Sequence, residues 1–198
     1  MATLEVAEMV LCGLVNKEIA ALVKKSGARA VGIAGKDDGL LVGEKVMKDG
    51  KASLGFVGEP KRVDVTILND FLNAGIIPVI APIGISETGE TLNINADTAA
   101  GKIAGALRAK RLLLLTDVAG VLDKEKVLIP HLKLKQVEEL KEDGTVTGGM
   151  IPKVEMAKSA VLEGVEGAVI LDGRVPHAVL LQLLSERAVG TLVSDAVE

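Results

Sequence analysis

The chain has 198 residues, 48% of them apolar, and a formal net charge of -4. That length and apolar fraction fit one soluble globular domain with a sizeable core, and nothing in them suggests disorder. Lys and Arg form no run longer than pairs such as Lys24-Lys25 or Lys61-Arg62, and Phe56 and Phe71 are the only aromatics, so neither a nucleic-acid footprint nor base stacking is expected.

From Thr3 to Lys25, apolar residues at Leu4, Val6, Met9, Val10, Leu14, Ile19, Leu22 and Val23 have the spacing of an amphipathic helix, ended by Ser26-Gly27. Within it, Cys12 has no second Cys or His at ligand spacing, which excludes a disulfide framework and a zinc site and leaves a buried inert thiol. Arg29 to Ala34 reads as a short buried strand before the tight turn Gly35-Lys36-Asp37-Asp38-Gly39, and Leu40 to Pro60 as short antiparallel strands. Asp64 to Ala74 is helical by spacing. Ile76 to Pro82 is a continuous apolar run of the kind covered on both faces, and a polar hairpin follows at Ser86 to Thr91. Helices are then expected at Ala96 to Leu107, Leu134 to Glu142, Pro152 to Glu163 and Pro176 to Glu186, with strands at Arg111 to Thr116, Ala168 to Leu171 and Gly190 to Val193. Strands alternating with helices predict an α/β sandwich on a mostly parallel sheet. The longest apolar stretch, Ala74 to Ile85, is broken by Pro78 and Pro82, short of the roughly 20 residues of a bilayer span. Met1-Ala2-Thr3-Leu4-Glu5 has no basic n-region or apolar h-region, so a cytoplasmic protein is expected.

In open α/β sheets ligands gather at the carboxyl ends of strands, and three loops there carry chemistry. Asn93, Asn95 and Asp97 sit at the mouth of a helix, where they either cap it or meet an anionic substrate. Asp117-Val118-Ala119-Gly120-Val121-Leu122 puts a strand-end carboxylate before a glycine turn, a pattern open to plain turn chemistry or to close approach by a nucleotide. Thr145-Val146-Thr147-Gly148-Gly149 leads into a helix bearing Lys153, either a solvated lysine or a point charge for a phosphate. No GxxxxGK[ST] or GxGxxG motif occurs. His131 and His177 belong to no nucleophile, base and orienter set and read as structural or surface residues; Asp172-Gly173-Arg174 reads as a turn, and Glu138-Glu139 and Glu142-Asp143 as a solvated face.

Taken in order, EVAEMVLCGLVNKEI, VGIAGKDDG, GFVGE, IPVIAP, LNINADTAAG, LLLLTDVAGVL, TGGMIPKVE and LDGRVPHAVLL resemble the acetylglutamate kinases of the amino-acid kinase family across nearly the whole chain. The resemblance implies a three-layer αβα sandwich over residues 1-198. Residues 1-92 would be the remainder of an N-terminal substrate and dimerisation lobe, and 93-198 the nucleotide lobe. It implies phosphorylation of the side-chain carboxylate of N-acetyl-L-glutamate by ATP with Mg2+, the metal held mainly by the nucleotide phosphates rather than by protein ligands. Asn93 then corresponds to the substrate asparagine, Asp97 to the aspartate that orients catalytic lysines, and Lys153 to the lysine that stabilises the transferring phosphoryl group. Asp117 to Leu122 and Thr145 to Thr147 correspond to the nucleotide surround.

In that family a lysine-bearing strand, a Gly-Gly turn and a substrate arginine lie upstream of the segment matching Met1. The expectation is therefore an N-terminally shortened enzyme, with a catalytically incomplete nucleotide-binding or sensor subunit as the alternative. The family also implies a homodimer through the helix at Thr3 to Lys25 and, in some members, regulation by arginine, with contacts near Asp172 to His177, or by a PII-type protein. A photosynthetic eukaryote would place such an enzyme in the plastid.

Overall fold

The computed structural model describes residues 2–47, 54–185 and 189–195. The chain divides after Ala99 into two compact units. The first opens on the expected helix, which runs from Ala2 to Lys25 in three parts: α1 (Ala2–Glu8), a π-helical stretch Met9–Val15, and α2 (Asn16–Lys25). A π stretch widens the turn by one residue without altering the order of apolar positions, so periodicity does not disclose it. The Ser26 N–H closes the helix on the Leu22 carbonyl at 3.0 Å. Cys12 is half-buried rather than buried, because the π stretch leaves it on the rim of a groove with Glu8, Lys36 and Asp37. Burial first, then the Glu8 and Asp37 carboxylates, push its thiol pKa up, so it stays protonated.

Strand β1 (Ala30–Ala34) pairs in parallel with β4 (Ile77–Ala81), and the buried Asn16 amide donates to carbonyls of both, Ile33 at 3.2 Å and Val79 at 2.8 Å. Complete cover of β4 does not occur: among the described residues only β1 pairs with it, and Ile77 stays exposed. The expected antiparallel pair is β2 (Leu41–Lys45) with β3 (Val57–Val63), in register Leu41↔Val63, with an irregularity at Val42/Gly43. The expected polar hairpin joins β5 (Ile83–Ser86) to β6 (Thr91–Ile94), and these four strands close a small barrel, β2-β3-β6-β5, in which Leu41, Ile83 and Leu92 are fully buried. Closure at this radius needs a missing side chain: a Cβ on Gly84 would lie 2.8 Å from the Leu41 carbonyl oxygen. Helix α3 (Thr66–Asn73) lies between β3 and β4 in the chain and is capped by Asp64, which accepts the Thr66 N–H at 3.0 Å.

The division falls within α4 (Ala96–Ala106). The second unit is built on one sheet, ordered β7 (Leu112–Thr116), β9 (Ala168–Asp172), β10 (Gly190–Ser194), β8 (His131–Lys133). Strands β7–β9 and β8–β10 run parallel and β9–β10 antiparallel. The α/β class read from the alternation is the class of the structure, with parallel and mixed pairing. Alternate residues of β9 face opposite ways: Ala168 and Ile170 join Leu114, Val137, Val154 and Val193 in one core, while Val169 and Leu171 pack with Ala178 on the other face. Helix α5 (Leu134–Glu142) falls where expected, and α6 (Met150–Leu162) begins two residues early by borrowing the Thr147 and Gly148 carbonyls. Helix α7 (Ala178–Leu184) begins after Pro176, because His177 adopts a left-handed φ of 60°; Glu186 lies outside the described residues.

One surface reading is corrected. Glu138 is not merely solvated: it accepts from Lys141 at 3.0 Å and from Lys158, while Lys141 also reaches Glu155, so charges tie α5 to α6. His131 has a structural contact, Nε2 to the Ser194 hydroxyl at 2.8 Å. Among the described residues no helix is long and apolar enough to cross a membrane.

Candidate functional site

In the second unit, the backbone leaving β7 at Thr116 turns through Asp117 to Leu122 and returns as a short antiparallel bridge, Leu122↔Leu128. Val118 to Leu122 form one wall of a cavity of ≈ 320 Å³; Thr145, Val146 and Thr147, from the turn between α5 and α6, form the other, and Met150 completes it. Its volume falls within the range of small-molecule sites. The lining is mainly peptide and aliphatic, with two threonine hydroxyls, a surface suited to a planar or amphipathic group. Both loops singled out in the sequence thus meet at one cavity. Asp117 lies outside the lining, exposed, with its carbonyl accepting from Arg174 Nη2 at 2.6 Å.

Four contacts hold these walls, and the sequence shows none of their partners. Gly120, at φ 143°, passes so close to β10 that a Cβ there would lie 2.6 Å from Thr191 Oγ1. Thr191, fully buried, accepts the Val121 N–H at 2.8 Å and donates to the Ile129 carbonyl at 2.7 Å. Arg174 is gripped by Asp172 through Nε at 2.9 Å and Nη2 at 2.8 Å, which aims its guanidinium at Asp117. That guanidinium and the Arg174 N–H hold the Asp172 carboxyl down at about 2. On the opposite wall Asp143 accepts the Thr145 N–H at 2.9 Å and pairs with Lys124 at 3.1 Å. The Thr145 hydroxyl first, then its N–H and Lys124, bring the Asp143 carboxyl down to about 2. The Asp172-Gly173-Arg174 turn is therefore a turn that also braces the cavity loop.

Lys153 lies in the same unit, in the first turn of α6, half-buried and with no hydrogen bond or ion pair among the described residues. A cation at a helix N-terminus opposes the macrodipole. Its ammonium thus adds positive charge to the N-terminal end of α6, which favours an anion there.

Asn93 and Asp97 belong to the first unit. Asn93, on β6, pairs in register with Val57 and lines a second cavity of ≈ 270 Å³ with Leu4, Ala7, Leu54, Gly55 and Phe56. Of the two readings of this segment, capping falls to Asn95, whose Oδ1 accepts the Thr98 N–H at 3.1 Å. The side chains of Asn93 and Asp97 make no hydrogen bond among the described residues, and Asp97 is exposed in the first turn of α4. Among the described residues no His, Cys, Asp and Glu side chains cluster to hold a metal ion.

Residues 1–172 match the family model described as the amino acid kinase family. The acetylglutamate kinase of Acidiphilium cryptum is 55% identical over 201 residues, covering 97% of this chain and 67% of that protein. Among solved structures, smu.665 from Streptococcus mutans superimposes with a TM-score of 0.76 at 30% identity, covering 96% of this chain and 70% of that one. The N-acetylglutamate synthase of Neisseria gonorrhoeae, solved with coenzyme A and N-acetyl-glutamate, shares the fold at a TM-score of 0.87 and 24% identity, over 100% of this chain and 45% of that one. The chain thus spans about two thirds of the length of the curated relatives it matches. It belongs to the amino acid kinase family and groups there with the acetylglutamate kinases.

Proposed function

We propose that the chain serves ATP-dependent phosphorylation of the side-chain carboxylate of N-acetyl-L-glutamate, yielding N-acetyl-L-glutamyl 5-phosphate for arginine biosynthesis. Its relatedness to the acetylglutamate kinases along nearly its whole length carries this reading. The backbone-lined cavity supports the nucleotide half: residues 117–122 and 145–147 are read as the ATP surround, Lys153 and Asp97 as catalytic, and Asn93 as substrate-binding. The lobes are read as residues 1–92 and 93–198.

A glutamate side-chain carboxylate, with an ordinary pKa of about 4.3, is ionised at neutral pH and needs no general base. That fits a site without a catalytic His. The reaction needs the carboxylate and γ-phosphate aligned, and the charge on the phosphoryl oxygens neutralised. Lys153 supplies one fixed positive charge; Asn93 orients the acceptor through its free amide; Asp97 orients ammonium groups about the phosphates. Mg2+ is read as held mainly through the nucleotide phosphates, whose charge it would spread.

A homo-oligomer built through the helix at 3–25 is supported by its exposed apolar residues, among them Met9 at 64% and Leu14 at 63%. Arginine contact at Asp172 to His177, PII-type control, and a cytoplasmic or plastid setting complete the reading. Hydroxylamine trapping of acyl phosphate tests the activity, with Mg-ATP and N-acetylglutamate, glutamate or aspartate offered in turn. Product with N-acetylglutamate alone supports it. Nucleotide binding without product favours the alternative, an incomplete nucleotide-binding or sensor subunit.

A further inference from the structure

We infer that Thr191 is a positioning residue for the cavity: its buried hydroxyl sets the shape in which residues 117–122 present their backbone, and thereby the affinity for nucleotide. The nucleotide part rests on the proposed function. Val121 and Ile129 face each other across the returning loop, and the Ile129 N–H donates to the Val121 carbonyl at 2.8 Å. The reciprocal bond of that rung, Val121 N–H to Ile129 carbonyl, is not direct. The Thr191 hydroxyl is spliced into it, accepting from Val121 at 2.8 Å and donating to Ile129 at 2.7 Å.

A strand 70 residues away in sequence thus supplies the atom that completes a rung of the cavity wall. Val121 is 1% exposed and Thr191 0%, so no water replaces a lost hydroxyl without opening the wall. Gly120 lets this happen, since any side chain there would collide with Oγ1. Thr191 touches no part of the cavity lumen; it acts through the loop it holds.

Thr191→Val keeps the side-chain volume and strands a buried donor and acceptor, whereas Thr191→Ser restores the hydroxyl. Val169→Ala, on the opposite face of the sheet, serves as the control for general destabilisation. Two measurements decide: amide hydrogen exchange at Val121, and titration with a fluorescent ATP analogue. Thr191→Val is expected to speed exchange at Val121 and weaken the analogue by about tenfold each, the size of one buried unsatisfied hydrogen-bonding group. Thr191→Ser is expected to stay within about threefold of wild type on both, as a retained hydrogen bond implies. Val169→Ala should lower Tm without weakening the analogue.

Wild-type exchange at Val121 in Thr191→Val overturns the inference, as does unchanged affinity in a wild-type background that binds, or an equal loss in Val169→Ala. A wild-type chain that binds no nucleotide sinks the proposed function and the affinity half with it, while exchange at Val121 still decides whether Thr191 holds the loop.

Discussion

Replacing Lys153 by alanine separates what the residue does for the fold from what it does for the reaction. The ammonium makes no hydrogen bond or ion pair among the described residues and sits in the first turn of α6, so its removal breaks no polar contact among them. It also relieves a charge opposed to the helix macrodipole, worth about 0.3–1 kcal/mol. For a chain of this length that corresponds to a Tm unchanged or raised by about 1–4 °C. The rate should move the other way: loss of one positioned electrostatic stabiliser costs about two to three orders of magnitude in kcat. Nucleotide affinity, which other contacts carry, should change far less. Scanning calorimetry and hydroxylamine trapping at saturating Mg-ATP read the two quantities independently. A Tm lowered by several degrees would mean that Lys153 is a structural residue, and an unchanged kcat would refute its catalytic role.

Asp143 and Asp172 both hold carboxyl pKa values at about 2, below the ordinary 3.8. Depressed carboxyls stabilise above the unfolded value and lose that contribution as pH falls through the folded one. Protection factors of residues 117–122 and 143–147, corrected for the intrinsic pH dependence of amide exchange, should therefore fall between about pH 4 and pH 2, and Asp172→Asn should abolish that fall in the first segment alone. Arg174→Ala, which frees the Asp117 carbonyl, should mobilise residues 117–122 at neutral pH without altering exchange in β9. Gly84→Ala brings a Cβ to 2.8 Å from the Leu41 carbonyl oxygen. The backbone there has no room to give, so chemical denaturation should register a loss of about 1–3 kcal/mol. If the exposed face of the N-terminal helix joins two copies, Leu14→Asp should halve the mass seen by sedimentation, and an unaltered mass would exclude that face.

Local regularities were open to reading because their causes lie within a few residues. The i, i+3, i+4 spacing of Val6, Met9 and Val10 and again of Ile19, Leu22 and Val23 carries the helix from Ala2 to Lys25, and the aliphatic runs of β7 and β9 carry strands, since each pattern repeats along a single element. That residues 118–122 and 145–147 belong together came from the family resemblance of the two segments and not from a local pattern, since 145–147 lie in a turn between two helices, α5 and α6. The π stretch escaped because a widened helical turn leaves the order of apolar residues intact.

What only the tertiary structure decided are the pairings between distant parts of the chain. Closure of β2, β3, β5 and β6 into a barrel depends on how the connections between them, α3 and β4 included, place four short strands, and no strand carries that information alone. Glu138 looked solvated until α6 brought Lys158 beside it. Arg174 looked like part of a turn until Asp172 aimed it at Asp117, and Thr191 gave no sign at all, being one hydroxyl in a short apolar strand. Periodicity reports which face of an element avoids water, whereas a polar side chain takes its role from the partner that folding places within hydrogen-bond reach.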